Sequence, residues 1–413
     1  MLFLDRMNRI YLDRMNRIYR ILILLLFFSS STVLAQTNIR ISFENQQDSV
    51  FYFCKYRGSK TIIIDTLLSK NSQIQIKFKE KLPEGIYLLT NANNYPMTEI
   101  LIGKDQRYSV KINNLDDLNS FKVKGDKESA IYFKLMAKVR QYDLMTTALD
   151  SETEYFPDNV RKIDSLKKDL DEYENSLKIK RKDAFINLVI TSMKRHTMDD
   201  YWDDFPLDDA RILTYPLIDN KLETYFDNLY NDAEKINSEI DKLIAKTGNC
   251  IKVRDYLIWF FYRKYYAPKY MNLDDVYIHL VNEYFAKFKM ENVSESIVNL
   301  MTERANYLEN LKIGSKLPNI GNLHSIDAEY ITVVFYDKTC KKCAQEGRIL
   351  EEIHARHPEM MIFPVEVNST SIKNLMVLYD IQTTPTIYLL DNQKKIIAKR
   401  IKAEQVEQFL NMD

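Results

Sequence analysis

The sequence predicts a multidomain α+β protein: an antiparallel β-sandwich first, a helical domain next, and a compact α/β unit at the C-terminus. Three observations predict it. From Asn38 to about Lys124, apolar and polar residues alternate in short runs; from Lys127 to about Asn310, apolar positions recur at helical spacing with almost no glycine; from Tyr330 onward, β-branched runs alternate with helical segments. A chain of 413 residues with 46% hydrophobic content has room for several such units. Lys+Arg 58 balances Asp+Glu 58, so no chain-wide basic field attracts a phosphate backbone and no nucleic-acid partner is expected. The eight glycines fall well short of the roughly 29 that average usage would give, and their spacing cannot write a Walker loop or a G-x-G-x-x-G turn.

The first segment, 1–35, reads as an export signal. Arg6, Arg9, Arg14, Arg17 and Arg20 precede the apolar run Ile21 to Phe28, and Val33-Leu34-Ala35 puts small side chains where a signal peptidase reads. Cleavage after Ala35 leaves Gln36 as the mature N-terminus. The apolar stretch is shorter than the ~20 residues of a spanning helix, so no integral membrane span is expected after cleavage. LDRMNRIY at 4–11 repeats at 12–19, which places Met15 as a second possible start.

Residues 36–125 form the predicted β-domain. Its eight runs, from Ile39-Arg40-Ile41-Ser42-Phe43 to Phe121–Lys124, are separated by Gly, Asn, Asp and Pro, and carry no evident chemistry. The predicted helical domain covers 126–312. Ile163, Leu166, Leu170, Tyr173 and Leu177 step by three and four on a helix expected over about 158–194; the seam is too short for a free coiled coil and suits a helical hairpin. The aromatic run Tyr256 to Tyr270 is read as a buried helix rather than a base-stacking platform, since it holds only three basic residues. Asp199, Asp200, Asp203, Asp204, Asp208 and Asp209 lack the alternate spacing and mid-loop Gly of an EF-hand, which favours capping roles. His354 and His357 lack a third ligand nearby, so no metal site is assigned.

Residues 313–413 carry the chemistry. Ile331 to Tyr336 is a continuous apolar run fit for a strand buried on both faces, and Cys340-Lys341-Lys342-Cys343 opens a helix just after it. A thiol at a helix N-terminus meets unpaired backbone N–H groups and the positive end of the dipole, both favouring thiolate. Cys340, the outer member, is therefore the expected nucleophile, and Cys343, one turn later, the resolving thiol. Cys54 and Cys250 stand far apart in sequence and read as buried free thiols. Zinc competes for any C-x-x-C, but no second Cys or His pair completes four ligands; a redox-dead remnant is the other alternative.

Downstream come a strand at Met361 to Val367, a helix at Ser371 to Tyr379, strands at Thr386 to Asp391 and Lys394 to Arg400, and a closing helix from about Lys402 to Leu410. Strand–helix–strand followed by helix–hairpin–helix is the minimal thioredoxin order. YDIQTTPTIYLLDNQKKIIAKRI resembles the second half of thioredoxin-like envelope oxidoreductases of the TlpA and ResA type, and IGSKLPNI at 313–320 resembles their leading segment. The two upstream domains resemble, more loosely, modules of unknown function that precede such domains in Bacteroidetes envelope proteins. The resemblance implies a thioredoxin fold for 313–413, a cis bond at Pro385 facing the redox pair, and backbone hydrogen bonds from Thr384 to an extended substrate. It implies an exported thiol-disulfide oxidoreductase of the periplasm or cell envelope, with client protein thiols and disulfides and a membrane or periplasmic redox partner, and no cofactor. The alternative is a non-catalytic envelope scaffold whose thioredoxin-like domain is structural. Two positions depart from the pattern: Thr339 replaces the usual Trp, and Val334 stands where the family places a buried acid.

Overall fold

The computed structural model describes residues 36–411 apart from 45, 47, 152–156, 178–180, 195, 230, 269, 292 and 369–371; the segment 1–35, read as an export signal, lies outside the described residues. The chain forms two compact units. The first runs to Met193 and includes Thr214–Pro216; the second comprises Lys194–Leu213 and Leu217–Asp413.

In the first unit, β1 (Thr37–Phe43), β4 (Gln73–Phe78), β7 (Arg107–Ile112) and β8 (Lys122–Lys124) make a sheet ordered β4-β1-β7-β8. A second sheet has β2 (Val50–Arg57), β3 (Lys60–Leu68), β5 (Gly85–Asn91) and β6 (Pro96–Ile102) in the order β3-β2-β5-β6. Alternation works as anticipated: Ile39, Ile41, Ile74 and Ile76 are buried, with polar residues between them turned outward. Phe43 stacks on Phe51 at 5.3 Å and Phe53 meets Phe78 at 6.4 Å, joining residues of the two sheets. The antiparallel expectation fails at one pair, because β1 and β7 run parallel. Five strands separate them in sequence, so their relative direction is not constrained by a hairpin.

Three helices follow in this unit: α1 (Lys127–Ser151), α2 (Pro157–Ser176) and α3 (Phe185–Met193). Leu170 of the predicted seam packs on Leu135 and Val139 of α1, with Tyr173 beside them. The single helix expected over 158–194 is instead broken between α2 and α3. Glu128 of α1 accepts the Ile186 N–H at 3.2 Å and pairs with Arg181, while Asn187 donates to the Arg181 carbonyl at 2.7 Å. These long-range bonds satisfy a fresh helix start that local periodicity cannot show.

The second unit begins with α4 (Leu217–Asp227), α5 (Ala233–Lys246), α6 (Ile251–Tyr265), α7 (Asp274–Leu280), which runs into a π turn at Val281–Phe285, and α8 (Glu295–Glu309). Most of the aromatic run packs into the core, as anticipated: Phe261 meets Phe226 at 4.5 Å, and Trp259 and Tyr262 each meet Phe285 at 5.1 Å, whereas the helix ends at Tyr265 and Tyr270 beyond it is exposed.

The remainder is the α/β unit: β9 (Tyr330–Tyr336), α9 (Lys341–Arg356), β10 (Met360–Glu366), α10 (Ile372–Tyr379), β11 (Thr386–Asp391), β12 (Ile396–Lys399) and α11 (Ala403–Leu410). Its sheet is ordered β10-β9-β11-β12, with β9 parallel to β10 and antiparallel to β11. Both faces of the central strands are covered. Ile331, Val333 and Phe335 join Tyr388 and Leu390 on one face, against Leu375 and Tyr379 of α10; Val334, Ile387 and Leu389 join Leu350, Ile353 and Val406 on the other. Fully burying each such side chain contributes about 1.5–3 kcal/mol before entropy is subtracted. β10 is an edge strand, which suits Pro364, since proline cannot donate to a ladder. The opposite edge is covered: Gly314 donates to the Ile396 carbonyl at 2.8 Å and Leu317 to that of Lys394 at 2.9 Å.

Candidate thiol-disulfide site

Cys340 and Cys343 sit where β9 ends and α9 begins. Tyr336 ends the buried strand, and Asp337 then builds the turn that releases the chain into the helix. Its carboxylate accepts the Thr339 N–H and hydroxyl at 2.6 Å each, and its carbonyl accepts the Cys340 N–H at 3.1 Å. Sequence reasoning missed this role, although an Asp two residues before a Thr at the end of a strand is a recognisable Asx-turn signal.

Cys340 is the N-cap of α9, and its sulfur accepts the Cys343 N–H at 3.1 Å. The hydrogen bond from the Cys343 thiol and that from the Cys343 N–H both hold the Cys340 thiol below its ordinary range, in the sense expected at a helix N-terminus. Cys343 behaves oppositely. It is buried, and burial pushes its thiol up, with the hydrogen bond it gives to Cys340 acting in the same direction. One sulfur is therefore partly exposed and tuned toward thiolate, and the other is shielded and keeps its proton. Lys341 and Lys342 are exposed beside the pair, whereas the Lys338 charge is met by Glu366 at 2.7 Å.

The loop leading into β11 closes the site. The Thr384–Pro385 bond is cis, and the Thr384 carbonyl lies 3.7 Å from Cys340 Sγ. Thr386 Oγ1 donates to the Thr383 carbonyl at 2.6 Å, tying the loop to the strand that follows. The four residues singled out in sequence thus come together from three places in the chain: the start of α9, its first turn, and the loop before β11. Val334, six residues before Cys340, is packed among apolar side chains, so that position supplies no acid to carry the resolving proton. Cys54 is buried in β2, as expected, whereas Cys250, just ahead of α6, is only half-buried; both are free thiols.

No protein-family model matches the sequence, and no curated protein does. Solved structures do. A thioredoxin-like protein from Bacteroides caccae is 19% identical, covering 52% of this chain and 91% of its own, with a TM-score of 0.44. A domain of a possible thiol-disulfide isomerase from Cytophaga hutchinsonii is 25% identical over 25% of this chain and 92% of its own, with a TM-score of 0.23. A thiol:disulfide interchange protein from a Bacteroides species is 20% identical over 25% of this chain and 90% of its own, also at 0.23. The likeness spans a quarter to a half of the chain, and the chemistry of the thiol pair stands on its own geometry.

Proposed function

We propose that the protein is an exported thiol-disulfide oxidoreductase that exchanges disulfides of envelope proteins through Cys340 and Cys343. The observation that carries this reading is the split between the two thiols: an accessible sulfur lowered toward thiolate at a helix N-terminus, one turn from a buried sulfur held protonated. In the reducing direction, the Cys340 thiolate attacks one sulfur of a client disulfide. A mixed disulfide forms, and the other client sulfur leaves as a thiolate that takes a proton. Cys343 then loses its proton and attacks Cys340, releasing the second client thiol and leaving Cys340–Cys343 oxidised. A dithiol partner of the periplasm or membrane restores the pair. With Val334 in place of an acid, the resolving proton leaves through water or the departing client thiolate.

Thr384 and Pro385 line the client side of Cys340, where an extended polypeptide can lie along the loop. Residues 36–125 are read as a β-sandwich and 126–312 as a helical domain ahead of the thioredoxin-like 313–413. Localisation to the periplasm rests on the Arg-rich and apolar segment before Gln36. Among the described residues, no helix is long and apolar enough to cross a membrane. Intact mass of the exported protein checks the predicted start at Gln36. Catalysed reduction of insulin disulfides by dithiothreitol tests the activity: turnover above the uncatalysed rate supports it, and none contradicts it. The reduction potential of the Cys340–Cys343 pair then assigns the direction, because a stabilised thiolate makes its disulfide more oxidising.

A further inference from the structure

We infer that Tyr266, just past the end of α6, and Arg304 of α8 are positioning residues that hold the 380–385 loop in register for a client polypeptide. The inference rests on the proposed exchange activity. It begins from Asp380, whose side chain is almost completely buried at the start of the loop, two residues before Gln382 and four before Thr384. Arg304 of α8 donates Nε to Asp380 Oδ1 at 2.8 Å and Nη2 to Oδ2 at 3.1 Å. The same Nη2 donates to the Tyr266 carbonyl at 2.8 Å, and the guanidinium lies 4.1 Å from the Tyr266 ring centroid and 4.5 Å from that of Tyr277. Such a planar, bidentate and stacked arrangement fixes orientation in a way lysine cannot reproduce.

The grip reaches the loop itself through Gln382. Its Nε2 donates to Asp380 Oδ1 at 2.9 Å, and its Oε1 accepts the Tyr266 hydroxyl at 3.2 Å. Gln382 is thus bonded on both sides of its amide, and the chain continues through Thr383 to the Thr384 carbonyl beside Cys340. A second clamp sits behind it. Arg400 donates to Asp380 Oδ2 at 3.2 Å and to Asp274 Oδ1 at 2.5 Å, and Asp274, at the start of α7, also pairs with the buried Lys399. Asp380 and Arg400 both adopt left-handed backbone, φ +48° and +56°, a conformation that persists in non-glycine residues where surrounding contacts over-determine it.

These contacts are a costly way merely to attach helices to a sheet, since burying charges is offset only by well-formed pairing. What they fix is the loop whose Thr384 carbonyl lies beside Cys340, where the proposed reading places a client. The helices thereby belong to the exchange site: they set where a client backbone lies relative to the thiolate.

The test uses the full chain and two disulfides, insulin as a polypeptide client and a small aromatic disulfide that needs no loop contact. Tyr266→Phe keeps the ring under Arg304 and removes only the hydroxyl bond to Gln382; its KM for insulin should rise about three- to tenfold, the equivalent of one net hydrogen bond, with kcat and the small-disulfide rate unchanged. Arg304→Lys should give the larger rise. Arg356→Gln, which breaks an exposed pair with Glu407 elsewhere on the α/β unit, controls for general loosening and should leave KM alone. Wild-type protein that turns over insulin while both Tyr266→Phe and Arg304→Lys keep its KM would overturn the inference alone; wild-type protein with no exchange would overturn it together with the functional reading.

Discussion

Two cysteines of this chain, one within a strand of a four-stranded sheet and one at the helix start that follows a strand of another, have thiols shifted in opposite directions by their surroundings. Cys54 lies within β2, between β3 and β5, where its neighbours across the sheet are Ile63 and Leu88. Burial pushes its thiol up. Cys340 lies just past the end of β9, where the chain turns into a helix and the sulfur meets backbone N–H groups. Thiol character here follows position on the fold: the interior of a strand makes cysteine a small apolar side chain, and a strand-to-helix turn lowers its thiol toward thiolate.

Substitution separates the two most sharply. Cys340→Ser should abolish insulin reduction, a loss on the order of a thousandfold or more, because a hydroxyl at that position is not ionised near neutral pH and cannot form the mixed disulfide. Cys54→Ser should leave the rate unchanged. Comparable losses in both variants would show that Cys340 has no special role.

The pH dependence of alkylation gives the next largest effect. Since only the thiolate reacts, the rate falls about tenfold per pH unit below a thiol's pKa. Cys340 is lowered, so its reaction with iodoacetamide should persist at pH values where an ordinary thiol has become sluggish, and should fade only as the pH drops through its depressed pKa. Cys54 should react only in unfolded protein. Peptide mapping after a brief pulse of reagent across a pH series reads both sites at once, and a Cys340 profile matching that of an unfolded thiol would remove the assigned tuning.

A smaller effect is expected from the turn. Asp337→Ala removes the acceptor that orders Thr339 and presents Cys340, so alkylation of Cys340 at neutral pH should slow a few-fold with the fold intact. An unchanged rate would mean that the helix terminus alone tunes the sulfur.

Much of this comparison is legible in the amino-acid sequence alone. The run Ile331 to Tyr336 announces a strand buried on both faces, and C-x-x-C after it announces thiols at a helix start; both are local patterns governed by local physics. The alternation of Ile39, Ile41, Ile74 and Ile76 is equally plain. What local patterns do not carry is long-range bonding. The break between α2 and α3 depends on Glu128, 58 residues before the Ile186 N–H it accepts. The parallel pairing of β1 with β7 depends on how intervening strands fold. Asp380 lies within the stretch that resembles thioredoxin-like proteins, but its partner Arg304 is 76 residues away on a helix with no redox signature. The sequence exposes the reactive atoms of the site more readily than the residues that hold them in place.

Covalent trapping decides whether Cys340 attacks and Cys343 resolves. Cys343→Ser and Cys340→Ser proteins, each exported in growing cells, are quenched with acid, alkylated and run on non-reducing gels. Cys343→Ser should give client adducts that disappear on reduction, because nothing remains to cleave the mixed disulfide, and Cys340→Ser almost none. Equal trapping by the two variants, or adducts confined to Cys340→Ser, would contradict that assignment of roles.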